Sequence, residues 1–325
     1  MRTVFMGSPE FAVPSLVAVA EHSEVVAVVC QPDKPAGRGQ HLLLPAVKVA
    51  ALERSLPVLQ PLFLKPQKSN FVAELTALAP DLVVVVAYGR ILPPEVLAIP
   101  RLGCWNVHGS VLPNYRGAAP IQWALIRGET KTGVTLMQME AGLDTGPALR
   151  CREIPISEDD TAGTLHAKLA ALGADLLAEA LPLFREGKIP EVVPQDHTQA
   201  TLAPMLDKEH GRVDFNRPAH LVCGQLRGVD PWPGGFTFLP PRVAGEEKVL
   251  LKLFSPRVSQ GQGRPGTVLG VDRLGLHVAC QSGAVVIGEG QLPGRKRMPI
   301  QALCAGHPIP HGTLLDEGRP NPLLG

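Results

Sequence analysis

The chain has 325 residues, 45% of them apolar and 4% aromatic, with 31 Lys and Arg against 30 Asp and Glu. That apolar share excludes global disorder, and the length suits two domains with cores built mainly from Leu, Val and Ala. A net charge of +1 says nothing by itself about nucleic acid, but the charge is unevenly spread: residues 1–202 hold 17 Lys and Arg against 20 Asp and Glu (−3), leaving 14 against 10 (+4) for 203–325. The sign suits a C-terminal module that meets a polyanion, although on charge alone chance scatter accounts for it equally well.

In chain order, Thr3–Met6 is a short apolar run that ends at Gly7-Ser-Pro9. Phe11–Ala20 fits a helix with Pro14 tolerable only near its start. Glu24–Cys30 reads as a buried strand, Ala46–Ser55 as a helix, Val58–Leu59 as a brief strand and Phe71–Leu78 as a helix. Asp81–Ala87 is a strong β-branched strand, and Trp105–His108 is another. A helix over Ala118–Arg127, strands over Gly133–Met139 and Ala148–Ile154, and a long amphipathic helix over Thr161–Arg185 follow. Apolar strands alternating with helices predict an α/β fold with a doubly wound, mostly parallel sheet covered on both faces.

Pro190, Pro194 and Pro204 mark a linker. Beyond it, Leu221–Gly228 fits a short helix, and Lys248–Phe254, Gly266–Leu269, Leu276–Cys280 and Ala284–Glu289 read as short strands between Gly-rich turns. The expected boundaries are 1–189 for the first domain, 190–207 for the linker, and 208–325 for a smaller all-β, barrel-like domain.

Cys30, Cys104, Cys151, Cys223, Cys280 and Cys304 form no Cys-x-x-Cys pair. Free thiols in a reducing compartment are expected, rather than a disulfide framework or a zinc site. The N-terminus shows no charged region followed by an apolar block, and Leu82–Ala87 is too short to span a bilayer, so a cytoplasmic protein is expected. No heptad pattern calls for a partner helix, which makes a monomer the expectation.

The stretch from Cys104 to Pro120 carries the chemistry. Asn106, His108 and Ser110 stand on alternate positions, so an extended backbone projects all three to one face. Such a cluster is costly to bury and marks a site, which in a parallel sheet lies at the carboxyl ends of strands. Asn supplies fixed donors and His moves a proton near neutral pH, which suits acyl transfer. Asp144, in the Gly-flanked loop Ala141–Gly146, is placed to orient the His or hold a water. A lone His here would read as a structural loop cap; its company favours function. Ser110 beside Gly109 is more often a turn former than a nucleophile. No phosphate loop, no nucleophile elbow and no metal-ligand spacing is present, so no metal is expected. Gln31–Gln40 is a basic, Gly-hinged loop with Lys34 and Arg38, joined by Lys48, opposed only by Asp33. It suits phosphate contacts, or else is a solvated loop.

Asn106-Val-His-Gly-Ser-Val-Leu-Pro113 with Gly142-Leu-Asp-Thr-Gly146 closely resembles the signature of the folate-dependent formyltransferases. The resemblance covers essentially the whole chain and implies a Rossmann-like catalytic domain followed by an OB-like one. It implies Asn106, His108 and Asp144 as the catalytic trio and 10-formyltetrahydrofolate as co-substrate. It assigns Ser110, Val111, Leu112 and Pro113 to folate binding, with backbone near Leu92 and Ala141–Asp144 completing the pterin pocket. The trio does not separate members that formylate methionyl-tRNA from those that formylate amino sugars. Gln31–Gly39 resembles the inserted loop with which the former grip the acceptor end of initiator tRNA. Asp230-Pro-Trp-Pro-Gly-Gly235 resembles a turn that both share. The resemblance therefore implies initiator methionyl-tRNA as acceptor, contacted through Lys34 and Arg38, with an amino-sugar or other small-amine formyltransferase as the alternative.

Overall fold

The computed structural model describes residues 1–36, 41–65, 67–241 and 247–324. Its elements, in order, are β1 (Arg2–Gly7), α1 (Val13–His22), β2 (Glu24–Val29), β3 (Lys34–Ala36), β4 (His41–Leu43), α2 (Ala46–Glu53) and β5 (Val58–Leu59). Next come α3 (Phe71–Ala77), β6 (Leu82–Val86), α4 (Pro94–Leu97), β7 (Cys104–His108), β8 (Arg116–Gly117) and α5 (Pro120–Ile126). Then follow β9 (Lys131–Gln138), β10 (Ala148–Pro155), α6 (Ala162–Arg185), β11 (Leu202–Ala203), α7 (Ala219–Gly228) and β12 (Phe236–Leu239). β13 (Val249–Ser259), β14 (Val268–Val271), β15 (Leu276–Ala279), β16 (Ala284–Gln291), β17 (Met298–Pro299) and α8 (Ile300–Gly306) complete the chain. Among the described residues, no helix is long and apolar enough to cross a membrane.

The contacts divide the chain into two units. The first comprises residues 1–120, 132–154 and 166–204, and is built on a seven-stranded sheet in the order β10-β9-β7-β6-β1-β2-β5. The chain runs outward from β1 through β2 to β5, then returns to β6 on the other side of β1. The switch point therefore lies between β1 and β6, where a doubly wound sheet opens a crevice. Register aligns the carboxyl ends: Gly7 of β1 lies opposite Val86 of β6, and Val85 opposite Asn106 of β7. Gly7 is needed there, since a Cβ would stand 2.8 Å from the Val86 carbonyl oxygen. All five residues of β6 are buried, as a strand covered on both faces requires.

One strand departs from the parallel pattern. β9 runs antiparallel to β7 and places Met137 opposite Asn106 and Thr135 opposite His108. Part of the Gln31–Gln40 loop forms a strand that its composition does not suggest. Lys34–Ala36 pairs antiparallel with His41–Leu43 in a two-stranded ribbon.

β7 divides its side chains between two environments. Trp105 and Val107 face α6: the Trp105 ring lies 4.8 Å from Phe184, and Gly173 leaves room for Val107, whose Cγ1 would sit 2.6 Å from an added Cβ. Cys104 faces the other way, into a core with Val4, Met6, Val83, Val85 and Tyr88. Asn106 and His108 continue on that second face, just past the end of its apolar cluster.

The second unit comprises residues 121–131, 155–165 and 205–325. It is an antiparallel half-barrel in the order β12-β13-β16-β15-β14, with β17 added to β16. α7 and α8 close its core through Val222, Leu226, Ile300 and Leu303 against Leu251, Leu253, Val285 and Ile287. Buried Gln225 is fully engaged: its Oε1 accepts from the Asp214 N–H (3.1 Å), and its Nε2 donates to the carbonyls of His210 (3.0 Å) and Arg212 (2.8 Å). All six cysteines are free thiols; Cys151 alone is exposed. Burial pushes the Cys104 thiol up to about 12, which keeps it protonated and inert.

Candidate active site at the carboxyl end of β7

His108 is 6% exposed, and its Nε2 lies 2.9 Å from the Tyr115 carbonyl oxygen. A carbonyl only accepts, so Nε2 carries the proton and Nδ1 is the nitrogen left to trade one. The bland reading of this histidine as a loop cap is thus half the truth, since one nitrogen holds the loop and the other is free. Nδ1 stands 3.7 Å from Asp144 Oδ2. That is too long for a direct hydrogen bond, but close enough for the carboxylate to meet an imidazolium charge or share a water with it.

Asp144 arrives from the loop after β9 and is fixed at both ends. Its φ of +52° lies in the left-handed region, uncommon for any residue except glycine and, less rarely, Asn or Asp. Its Oδ2 accepts the Gly117 N–H at 2.8 Å, and its main-chain carbonyl accepts Gln195 Nε2 at 2.9 Å. Gly117 is in turn set by the pairing of β8 with β11.

Asn106 is 9% exposed, and its side-chain amide makes no hydrogen bond to any described residue. This contrasts with buried Gln225 and half-buried Gln195, whose amides are bonded within the fold. The Asn106 amide is not among the fully enclosed unpartnered polar atoms, so it keeps a narrow path to solvent and is available to a ligand two positions before His108.

The Ser110–Pro113 segment is stitched by its own polar groups. Ser110 is 1% exposed; its hydroxyl donates to the Asn114 carbonyl at 2.6 Å and its carbonyl accepts the Thr135 hydroxyl at 2.7 Å. Thr135 Oγ1 also accepts the Leu112 N–H at 3.1 Å. The Ser110 hydroxyl is thereby spent on loop structure. Val111, Leu112 and Pro113 are half-buried, with a cis bond between the last two. Leu92 is buried among Tyr88, Val96 and Cys104, while Leu143 is half-exposed.

Lys34 is exposed on β3. Lys48 is not a free cation: its Nζ contacts Asp33 Oδ2 at 2.6 Å and Gln60 Oε1 at 2.8 Å. Those bonds from Lys48, then Gln60, hold the Asp33 carboxyl below the ordinary carboxylate range. Arg38 falls outside the described residues. Leu42 and Leu43 on β4 are 64% and 65% exposed, giving that strand an apolar side. Among the described residues, no group of three or more His, Cys, Asp or Glu could hold a metal ion.

Sequence reasoning missed Tyr115, Gly117, Thr135, Thr201 and Gln195. The first four work through backbone groups or threonine hydroxyls, and Gln195 sits in a Pro-flanked stretch that reads as linker. Residues 193–203 are instead bonded to the site: Val193 exchanges both backbone bonds with Ala148, and the carbonyl and hydroxyl of Thr201 accept the N–H groups of Arg116 and Tyr115.

The chain belongs to the formyl transferase family: the model of that name matches residues 1–181, and the one for the formyl transferase C-terminal domain matches 205–308. Among curated relatives, a methionyl-tRNA formyltransferase from Pelobacter propionicus is 50% identical over 313 residues, covering 96% of this chain and 95% of the relative. One from Geobacter sulfurreducens is 49% identical over 318 residues, covering 98% and 97%. Solved structures share the fold at lower identity. An N-formyltransferase from Helicobacter canadensis, in complex with folinic acid and dTDP-3-aminofucose, has a TM-score of 0.65 at 18% identity and covers 88% of this chain and 97% of that one. HypX from Aquifex aeolicus, in complex with tetrahydrofolic acid, has a TM-score of 0.56 at 21% identity, covering 94% and 47%.

Proposed function

We propose that this chain transfers the formyl group of 10-formyltetrahydrofolate to the amino group of initiator methionyl-tRNA. The observation that carries the reading is the unpartnered amide of largely buried Asn106 beside His108 and Asp144, at the carboxyl edge of the sheet. Support for the acceptor comes from relatives at about half identity along nearly the whole chain, both named for methionyl-tRNA.

When bound, 10-formyltetrahydrofolate supplies an activated formyl carbonyl and a folate nitrogen as leaving group. The half-buried Val111–Pro113 segment and the backbone near Leu92 and Ala141–Asp144 would hold it. Asn106 donates to the carbonyl oxygen as that oxygen gains negative charge, a preorganised donor that needs no reorientation. The methionyl amine, ordinarily titrating near ~7–8, is readily neutral and nucleophilic. His108 takes its proton at Nδ1 and returns it to the departing nitrogen, while Nε2 stays on the Tyr115 carbonyl and keeps the ring in place. Asp144 meets the imidazolium charge while it exists. Lys34 and Arg38 place the acceptor end of the tRNA by phosphate contact.

The test offers the protein radiolabelled 10-formyltetrahydrofolate with initiator methionyl-tRNA or a dTDP-amino sugar. Label should pass to the tRNA, and the reaction should weaken as salt rises. Label passing only to the sugar nucleotide, at a rate indifferent to salt, would overturn the assignment of the acceptor.

A further inference from the structure

The carboxylate that faces His108 is held in a conformation its own residue disfavours. Asp144 has a φ of +52°, and such a backbone persists only where the surroundings over-determine it. Two of the bonds that hold this loop come from a single side chain. Gln195 Nε2 bridges two carbonyls of the loop, Asp144 at 2.9 Å and Gly146 at 2.6 Å.

The orientation of that amide follows from chemistry. Arg116, 7% exposed, places Nε at 3.1 Å and Nη2 at 2.6 Å from Gln195 Oε1. A guanidinium only donates, so the atom facing it is the oxygen, and the amide's N–H groups must face the two loop carbonyls. Arg116 is itself pinned: its backbone N–H donates to the Thr201 carbonyl at 2.8 Å and its Nη2 to His197 Nδ1 at 2.9 Å. Gln195 is pinned on both flanks. Val193 exchanges backbone bonds with Ala148 at 2.7 and 2.9 Å, and Asp196 Oδ1 accepts the Thr198 N–H at 3.0 Å.

We propose that Gln195 is a positioning residue for formyl transfer, transmitting the fixed geometry of buried Arg116 to Asp144 and so setting the carboxylate against His108. The inference rests on the formyl-transfer reading above. Gln195 touches none of the reacting groups; it acts by holding two carbonyls, which keeps Asp144 in its left-handed backbone and Oδ2 at its distance from Nδ1.

Gln195→Glu separates this role from support of the fold. The carboxylate keeps an acceptor for Arg116 and adds a charge to the pair, but it has no N–H for the carbonyls of Asp144 and Gly146. The expected result is a kcat lowered about tenfold or more, with KM for initiator methionyl-tRNA changed less than about twofold, and a thermal midpoint closer to that of the unmodified chain than Gln195→Ala shows. Gln195→Ala should lose kcat to a similar extent and lower the midpoint as well. In an Asp144→Asn background, Gln195→Glu should cost less than about threefold further, because both substitutions disable the same carboxylate. A Gln195→Glu variant with kcat within about twofold of the unmodified chain would overturn the inference, as would losses that multiply in the Asp144→Asn background. Failure of the unmodified chain to formylate methionyl-tRNA in the same assay would instead overturn the functional reading, and this inference with it.

Discussion

Replacing Asp144 by Asn removes one charge and little else. An Asn oxygen still accepts the Gly117 N–H, and the bonds from Gln195 go to main-chain carbonyls that the substitution leaves in place. What is lost is the attraction between a carboxylate and an imidazolium. At 3.7 Å that attraction is worth about 4–5 kcal/mol with an effective dielectric of ~20. The His108 side chain is 6% exposed but that of Asp144 is 17% exposed, so water takes a share at one end only. Halving the attraction for that screening leaves about 2–3 kcal/mol, or about 30- to 150-fold in rate. The imidazolium exists only while the proton is in transit, so the loss should fall on kcat and leave KM unchanged. Single-turnover transfer of labelled formyl to methionyl-tRNA, with thermal melting as a control for folding, measures both. An Asp144→Asn variant within about threefold of normal kcat, or one that loses only KM, would refute the assignment of Asp144 to the imidazolium.

Further outcomes are expected from the same structure. Trp105→Ala removes a wholly buried ring packed 4.8 Å from Phe184 and should lower stability by about 3–5 kcal/mol in denaturant melts. Lys34→Ala and Arg38→Ala should each raise KM for methionyl-tRNA and make its salt dependence shallower by about one counterion, with folate affinity intact. Equal loss of folate affinity would move the loop into the folate pocket. The Asp81 carboxyl is held below the ordinary range by the Arg2 backbone N–H at 2.8 Å, then by Arg101 at 2.6 Å. A depressed carboxylate adds stability above its unfolded pKa and loses it as pH falls through the folded value. The thermal midpoint should therefore drop below pH ~4, and Asp81→Asn should lower the midpoint at neutral pH and flatten that acid limb.

The architecture was legible where the physics is local. Five consecutive buried β-branched and Leu residues at Leu82–Val86 announce a strand covered on both faces, and alternation alone puts Asn106 and His108 on one side of β7. Direction was not legible: the apolar pattern of β9 reads the same either way, and the long connection from β7 permits both senses. β12 went unread because Phe236–Leu239 follows directly on the Pro-Trp-Pro-Gly-Gly turn and has a short alternating pattern of its own. Gln195 was hidden for a different reason. Its partners are carbonyl oxygens and a buried guanidinium brought from far along the chain, and none of these leaves a mark in local composition. Lys48 shows the opposite failure, since counting charges placed it among the free cations of the loop while the fold spends it on Asp33 and Gln60.

The central claim is that Asn106 and His108, with Asp144, carry formyl transfer onto methionyl-tRNA. Its most direct test is single-turnover transfer of labelled formyl from 10-formyltetrahydrofolate to initiator methionyl-tRNA by the unmodified chain, Asn106→Ala and His108→Ala. The account predicts rapid product from the unmodified chain and a loss of about a hundredfold or more in each variant, with melting showing both still folded. No product from the unmodified chain, or product from a folded variant at close to the normal rate, would contradict it.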